Sequence, residues 1–463
     1  MTTVAAAQPA SRLGPVVQYA LLAGPLLSML DSSVVNVAVE PIARQLHASL
    51  PVAQWTVSGY LLALGTGLAA TAYLARRFGT LALYRGSIAA FTAASAACAL
   101  APTMQVLLLT RAIQGLVAAP LVPMAMSMLF GKGESARSMS ATAGMLLFLG
   151  PALGPSVGGV LIAAGGWRGI FLINLPTGLA AALAVRKIPA DLAPGAGERI
   201  RLDIPGLVLL AAGMTLLLLG VTDAGSDGWG APGSWLPVLS GVAALACYAA
   251  WARNVEQPAL NLALARSRAG ILALTLCATA SVVTFSVVFL LPVFVQSVQH
   301  HSALAAGLAM LPQGIVTGLS TTLGQRALRH VTVRTTVLTG FALLTAASLG
   351  LEKIGAQTPL LVTAALLAGR AVAVGLVISP LLAVLTGQVA PAGLGDASTL
   401  FSIWQRIAGS FGVGLIAAVF ASQSTAHGPV TALHATGLVV AVIASAGLAG
   451  ALLLPATRNV GLT

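Results

Sequence analysis

Apolar residues run along this chain in long stretches that short polar segments interrupt. A membrane-spanning helix needs about 20 consecutive, mostly apolar residues. The apolar stretches predict fourteen such helices, centred near residues 28, 62, 91, 117, 150, 178, 213, 243, 284, 315, 343, 372, 410 and 442. Within a bilayer a helix satisfies its own backbone hydrogen bonds, so the pattern predicts an all-α integral membrane protein.

Two polar segments divide the predicted helices into groups. Residues 188–203 are rich in Pro, Gly and charge, and 253–269 form a second such segment. We therefore predict an N-terminal six-helix bundle at 1–187, a linker with two extra helices at 188–269, and a C-terminal six-helix bundle at 270–463. The two bundles resemble each other, since Arg111 begins RAIQGLVAAPLVP and Arg370 begins RAVAVGLVISPLL. Parallel halves of this kind enclose a site near the bilayer midplane.

Composition supports the membrane assignment. Hydrophobic residues make up 57% of the 463 positions and charged residues 7%, whereas soluble domains carry about 25% charged residues. The net charge of +12 does not indicate a nucleic-acid partner, because the basic residues lie mainly at alternate span ends, as at Arg76, Arg77, Arg85, Arg186 and Lys187. This asymmetry predicts a multi-pass protein of the cell's inner (plasma) membrane with both termini in the cytoplasm.

One acidic residue lies deep in a predicted span. Asp31 is about sixteen residues into the first span, which at about 1.5 Å per residue places it far from either membrane surface. A carboxylate at that depth is energetically costly and indicates a partner or a function. We interpret Asp31 as a proton carrier, and the alternative is a structural ion pair or a hydrogen bond between helices.

Arg111 is the predicted partner of Asp31. It lies inside the fourth span at a depth that overlaps that of Asp31, so the two side chains can meet. A cation beside a proton-carrying carboxylate can favour proton release. The alternative is that Arg111 bonds only to backbone carbonyls. Gln114 lies one turn further along the same helix and can share either role.

Small residues and prolines mark the predicted fifth span. The sequence GPALGPSVGG places Gly150, Gly154 and Gly158 on one helix face, next to Gly159 and the helix-bending Pro151 and Pro155. Such a face allows two helices to approach closely. We predict a helix that packs closely and moves, with a static helix contact as the alternative.

The chain has no phosphate-binding loop, dinucleotide fingerprint or nucleophile elbow. We therefore expect neither an enzyme nor an ATP-driven pump, and no metal site or bound cofactor.

These motifs resemble those of the fourteen-span drug:proton antiporters of the major facilitator superfamily. LDSSVVNVAVEPIA (30–43) is similar to the first-span motif that carries the proton-coupling aspartate, here Asp31. RAIQGLVAAPLVP is similar to the fourth-span motif with its arginine at Arg111, and GPALGPSVGG to the antiporter motif of the fifth span. WRGIFLINLPTG (167–178) and GDASTLFSIWQRIAGSFGVGL (395–415) are also similar to family segments.

The loop after the second span departs from the family pattern. That loop normally reads Gly-x-Leu-Ala-Asp-Arg-x-Gly-Arg-Arg, and here Arg76 stands in place of the aspartate, followed by Arg77 and Gly79. In the family the aspartate helps to latch the two halves, so the resemblance implies a weaker or different latch at these residues.

The resemblance implies the major facilitator fold and a proton-coupled antiporter that exports lipophilic, neutral or monocationic small molecules, with the proton gradient as its energy source. The alternatives are a dedicated exporter of one metabolite or antibiotic, and a non-transporting membrane receptor with the same fold.

Overall fold

The computed structural model describes residues 14–456 with gaps at 131–140, 190–201, 229, 256–257, 261–266, 329 and 390–393. Regular structure in these residues is entirely helical. The first helices are α1 (Pro15–Gln45), α2 (Leu50–Ala53), α3 (Trp55–Phe78), α4 (Thr80–Ala99), α5 (Met104–Ala118), α6 (Leu121–Phe130), α7 (Ala141–Gly165), α8 (Gly169–Leu172) and α9 (Asn174–Val185). They are followed by α10 (Ile204–Asp227), α11 (Pro232–Trp251), α12 (Arg268–Ser297), α13 (Ala303–Ala327), α14 (Val333–Leu349), α15 (Leu360–Thr386), α16 (Leu394–His427) and α17 (Pro429–Ala451).

The helix ends follow from local sequence. The side chains of Thr103, Asp203, Ser267, Ser302 and Thr332 each accept a hydrogen bond from a backbone N–H of the helix that follows. These N-caps satisfy donors that have no partner within the helix. Between α3 and α4 the chain turns at Gly79, whose φ of 86° is accessible to glycine at little cost.

Helices occupy all fourteen predicted positions. Eleven are long and apolar enough to cross a membrane, and the helices near residues 150 and 178 pass that test together, as Leu153–Gly165 and Gly169–Val185 with a bend of 117° between them. Helix α4 is not among the eleven, because Arg85 and several Ser, Thr and Gly residues lower its hydropathy.

We call α1–α9 the first half, α12–α17 the second half, and α10 with α11 the insert. Helix α1 packs against α6, α7 and α9 of its own half and against α12 of the second half. The main contacts between the halves are those of α7 with α13 and of α3 with α16. Three helices, α1, α3 and α7, therefore carry most of the contacts of the first half with the second, while α9 packs within the first half against α1, α4 and α8.

The insert contacts both halves. Helix α10 packs against α11, and it also lies against α16 and α3. Gln54 of the first half donates from Nε2 to Thr222 Oγ1 at 3.3 Å. At Gly225 a Cβ atom would lie 2.5 Å from Cα of Ala418, so α10 and α16 touch backbone to backbone. Helix α10 thus covers the line along which α3 meets α16.

The two ends of the bundle differ. We call the end that carries Arg76, Arg77, Arg85, Arg186 and Lys187 the basic end; these side chains are exposed. The other end, which carries Arg44, Arg168 and Lys353, we call the opposite end.

Hydrogen bonds join the halves toward the opposite end. Gln296 donates from Nε2 to Val37 O at 3.0 Å, and Ser156 Oγ donates to Gly307 O at 2.9 Å. Ser410 Oγ donates to Ser58 O at 2.8 Å. The halves are therefore closed together on that side of the molecule.

The predicted glycine face of α7 divides between two neighbours. At Gly154 a Cβ atom would lie 2.7 Å from Cβ of Ser33, and at Gly158 it would lie 3.0 Å from Val34 O; both contacts are with α1 of the same half. At Gly159 it would lie 2.7 Å from Ala303 O, on α13 of the second half. Gly159 therefore allows the halves to close, whereas Gly154 and Gly158 allow α7 to approach α1. Gly150 and Pro151 lie on α7 too, but their surroundings fall outside the described residues.

We predict that Gly159→Leu opens the contact between the halves at the opposite end, because its side chain would overlap the backbone of α13. Spin labels at the exposed positions Arg44 and Ser302 should then show a longer distance in the variant. Gly369→Leu is the matched control, since a Cβ at Gly369 meets nothing within 4 Å. An unchanged distance in the Gly159 variant would contradict the assignment of this contact.

Candidate functional site

Asp31 lies near the middle of α1 and is buried inside the first half. Its side chain is 2% exposed. Because an isolated carboxylate in an apolar interior is unstable, its partners decide what it can do.

Arg111 of α5 is the partner that carries charge. Its Nη1 lies 2.6 Å from Asp31 Oδ2. The same guanidinium donates from Nη1 to Gln114 Oε1 at 2.6 Å and from Nε to Thr56 O at 3.0 Å. Arg111 therefore keeps two acceptors besides the carboxylate, one on its own helix and one on the backbone of α3.

Amide donors hold the other carboxylate oxygen. Gln114 Nε2 donates to Asp31 Oδ1 at 3.1 Å, and Asn174 Nδ2 of α9 donates to the same atom at 2.8 Å. Ser95 Oγ of α4 accepts from Gln114 Nε2 at 2.7 Å and from Asn174 Nδ2 at 3.3 Å. We call Asp31, Ser95, Arg111, Gln114 and Asn174 the Asp31 network. It joins four helices of the first half.

Aromatic rings close the network on the side of the arginine. The guanidinium carbon of Arg111 lies 4.1 Å from the centre of the Tyr60 ring and 5.6 Å from that of Phe171. Tyr60 Oη also lies 3.3 Å from Ser28 Oγ, one turn before Asp31 on α1. The rings exclude water and stabilise the cation through their π faces.

Sequence reasoning identified three of the five members. Asp31, Arg111 and Gln114 were predicted to lie together, and the structure brings them together. Ser95 and Asn174 were missed. Asn174 lies within the quoted segment WRGIFLINLPTG, so an amide inside an apolar helix was an available signal. Ser95 gave no such signal, because a Ser inside an apolar helix can satisfy its hydroxyl on the backbone of its own helix, as Ser95 also does with Phe91 O.

The predicted loop residues lie at the basic end. Arg76 and Arg77 are exposed in the last turn of α3, and Gly79 makes the turn into α4. These residues therefore lie at the junction between α3 and α4, and their role as a latch stays a prediction.

A cavity of about 780 Å³ opens at the opposite end between the halves. Glu40 and Arg44 of α1 line it from the first half, and Gln296, His300 and His301 from the second. Both histidines are exposed. Among the described residues no group of three His, Cys, Asp or Glu side chains is arranged to hold a metal ion. The cavity is a vestibule with both polar and apolar lining, and it includes Gln296, which bonds across the halves.

We predict that Arg111→Lys lowers the unfolding temperature of the protein and that Arg111→Ala lowers it further. Lysine keeps the charge but cannot donate in all three directions of the planar guanidinium. Alanine leaves the Asp31 carboxylate without its cation, which costs about 3–5 kcal/mol for a buried pair. Thermal unfolding of the purified protein measures both effects.

The double variant Asp31→Asn with Arg111→Gln is the control, because it removes both charges together. It should unfold at a higher temperature than Arg111→Ala. If Arg111→Ala and the unmodified protein unfolded at the same temperature, the ion pair would make no contribution to the stability of the folded protein.

Comparison with known proteins identifies the family of this chain. Residues 21–413 match the model of the Major Facilitator Superfamily. The chain is 33% identical over 408 residues to the multidrug resistance protein B homolog of Mycobacterium tuberculosis, covering 86% of this chain and 74% of that protein. It is 30% identical to the puromycin resistance protein pur8 of Streptomyces alboniger, covering 94% and 88%. It is 31% identical to the cephamycin export protein CmcT of Amycolatopsis lactamdurans, covering 88% and 85%.

Solved structures confirm the predicted fold. A crystal structure of the peptide transporter POT superposes with a TM-score of 0.67 at 15% identity, covering 95% of each chain. That of a D-xylose–proton symporter superposes with a TM-score of 0.65, also at 15% identity, covering 93% of this chain and 96% of the other. With its helices, its buried ion pair and a match over most of its length, the chain belongs to the major facilitator superfamily: it is a multi-pass membrane transporter related to drug exporters, and not an enzyme.

Proposed function

We propose that this transporter is a proton-coupled antiporter that exports lipophilic small molecules by alternating access. The observation that carries the proposal is the Asp31 network, because it holds a carboxylate in the interior of the bundle with a full set of partners. The drug and antibiotic resistance named in its relatives supports the substrate class.

The network is suited to gaining and losing a proton. With Asp31 ionised, Arg111, Gln114 and Asn174 donate to its two oxygens. When Asp31 takes up a proton, Arg111 retains Gln114 Oε1 and Thr56 O as acceptors. The cation therefore never loses all its acceptors, and this lowers the energetic difference between the two protonation states.

Protonation removes the attraction that ties α1 to α5. Helix α1 also packs against α7, which meets α13 of the second half, and directly against α12 of the second half. A change in the charge of Asp31 can therefore alter the relative stability of two arrangements of the halves, which is what coupling requires.

We propose that the basic end faces the cytoplasm, in accordance with the positive-inside rule. The halves are closed at the opposite end, so the conformation described is then closed toward the outside. Export would require the hydrogen bonds of Ser156, Gln296 and Ser410 to break, and the vestibule at Glu40 and His300 would become the exit. Arg76, Arg77 and Gly79 would then lie where the halves close in the outward-facing state.

A dedicated exporter of one antibiotic is the second candidate. The relatives that are named for puromycin resistance and cephamycin export favour it. Flux assays with a panel of unrelated lipophilic compounds distinguish the two, since a dedicated exporter would move only one chemical series.

We predict that Asp31→Asn abolishes proton-driven accumulation while substrate exchange without a gradient persists. Asparagine keeps the size of the side chain and accepts hydrogen bonds, but it carries no proton for exchange. Reconstituted vesicles with an imposed pH gradient measure the first activity, and counterflow measures the second.

Glu352→Gln is the matched control, since Glu352 is an exposed carboxylate at the opposite end. It should keep both activities. Proton-driven accumulation by the Asp31 variant would show that coupling resides elsewhere.

Substrate charge gives a second prediction. Asp31 is the carboxylate buried in the middle of the described bundle. A single positive charge on a substrate would compete with the proton for it. A second fixed positive charge on a substrate would find no carboxylate partner, and desolvating it costs several kcal/mol. We therefore expect export of neutral and monocationic lipophiles and poor export of dications.

Matched mono- and bis-quaternary compounds of similar size provide the measurement, either as flux into vesicles or as resistance of expressing cells. Export of both at equal rates would overturn this assignment of substrate charge.

A further inference from the structure

The second half contains a buried arginine that corresponds to Arg111. Arg370 begins the segment that repeats the Arg111 segment, and it lies on α15 as Arg111 lies on α5. Its side chain reaches α12, the first helix of its half, as Arg111 reaches α1. Nη2 of Arg370 donates to Thr284 O at 2.7 Å and to Val283 O at 3.3 Å. Each arginine thus reaches the first helix of its half.

The partners of the two arginines differ. Thr284 lies near the middle of α12, where α1 carries Asp31, and Ala373 stands three residues after Arg370, where Gln114 follows Arg111. From Ala269 to the end of the sequence the acidic residues are Glu352 and Asp396, and both are exposed. The carboxylate and the amide of the first half therefore have no counterpart beside Arg370.

Arg370 is nevertheless as deeply buried as Arg111, at 2% exposure. Its Nε and Nη1 are buried without a hydrogen-bond partner, and so is the Oγ1 atom of Thr284, whose carbonyl it contacts. If Arg370 served only to bond to the α12 backbone, Nη2 alone would be sufficient, since it makes both of those hydrogen bonds. A buried cation that lacks a counterion is costly by several kcal/mol, so the unused donors indicate an anion that belongs there.

We propose that Arg370 and Thr284 form an anion-binding site in the second half, which takes one compact monoanion, either chloride or a small carboxylate. The donors are Nε and Nη1 of Arg370 and the hydroxyl of Thr284. The site reproduces the ion pair of the first half with a bound anion in the place of the Asp31 side chain. Because Arg370 is closed to solvent in this conformation, the anion enters when α12 and α15 separate. This site goes beyond the proposed function, since it requires neither a proton nor an exported substrate.

Thermal unfolding of the purified full-length protein tests the site. The salts are sodium chloride, sodium acetate and sodium gluconate at equal ionic strength, with gluconate as the anion too large for the site. A ligand that binds only the folded state stabilises it by an amount that rises with the logarithm of its concentration above Kd. We expect the unfolding temperature to rise saturably with chloride, acetate or both, and not with gluconate.

The salt that acts identifies the source of the anion. A response to chloride alone assigns the site to an inorganic ion, and a response to acetate assigns it to carboxylates. Equal unfolding temperatures in all three salts would overturn the proposal.

Thr284→Asp supplies the anion from the chain itself. We expect this variant in gluconate to reach the stability of the unmodified protein at saturating anion, and to lose its response to chloride and acetate. Ser281→Asp is the matched control, because Ser281 is buried one turn earlier on α12 and its hydroxyl bonds to Cys277 O, not to Arg370. It should destabilise the protein.

A Thr284→Asp protein that is destabilised as much as the Ser281 variant would contradict the site. These measurements use no gradient and no exported compound. Their failure would therefore leave the coupling role of Asp31 untouched, and failure of the Asp31→Asn transport assay would leave the anion site untouched.

Discussion

The ion pair between Asp31 and Arg111 constrains the whole first half. Two opposite charges in an apolar bundle are tolerated only with close contact and with hydrogen bonds for the remaining atoms. These requirements bring α1, α4, α5 and α9 to one point, because Gln114 and Asn174 donate to Asp31 Oδ1 and Ser95 accepts from both amides. The arrangement of four helices therefore depends on a single charged contact. The same contact is what a proton can remove.

Close packing of helices connects the helix of Asp31 with the second half. Helix α7 touches α1 at Gly154 and Gly158 and touches α13 at Gly159, so one helix connects the Asp31 helix with the second half. In a bilayer, packing between small residues is a principal source of helix association. In the proposed mechanism, a shift of α1 after protonation would reach the contact between the halves through α7, which packs closely against both α1 and α13. The insert helix α10 contacts both halves along the line between α3 and α16 and must accommodate the same movement.

The two halves share a contact but differ in charge. Arg111 and Arg370 both reach the first helix of their half, yet only Arg111 meets a carboxylate. The second half keeps the buried cation, Arg370, but has Thr284 where the first half has Asp31. The cost of burying the positive charge therefore remains, while in the described part of that half no side-chain carboxylate neutralises it. Under the two proposals, the first half would respond to protons and the second to anions, so that two otherwise similar bundles would have different chemistry.

Hydropathy alone determined the helical class, the positions of the fourteen helices and the depth of Asp31, because a bilayer imposes these properties on each apolar stretch separately. An acid and an arginine at overlapping depths in the first half also favoured their pairing, because a carboxylate at that depth is costly without a partner. The partners Ser95 and Asn174 were decided by tertiary structure, because such side chains are tolerated on many helices and only the rotation of α4 and α9 brings them to the carboxylate. The same holds for the glycines of α7: their spacing predicts close packing, but which helix each one meets, and which end of the bundle is closed, depends on how the assembled helices lie against one another.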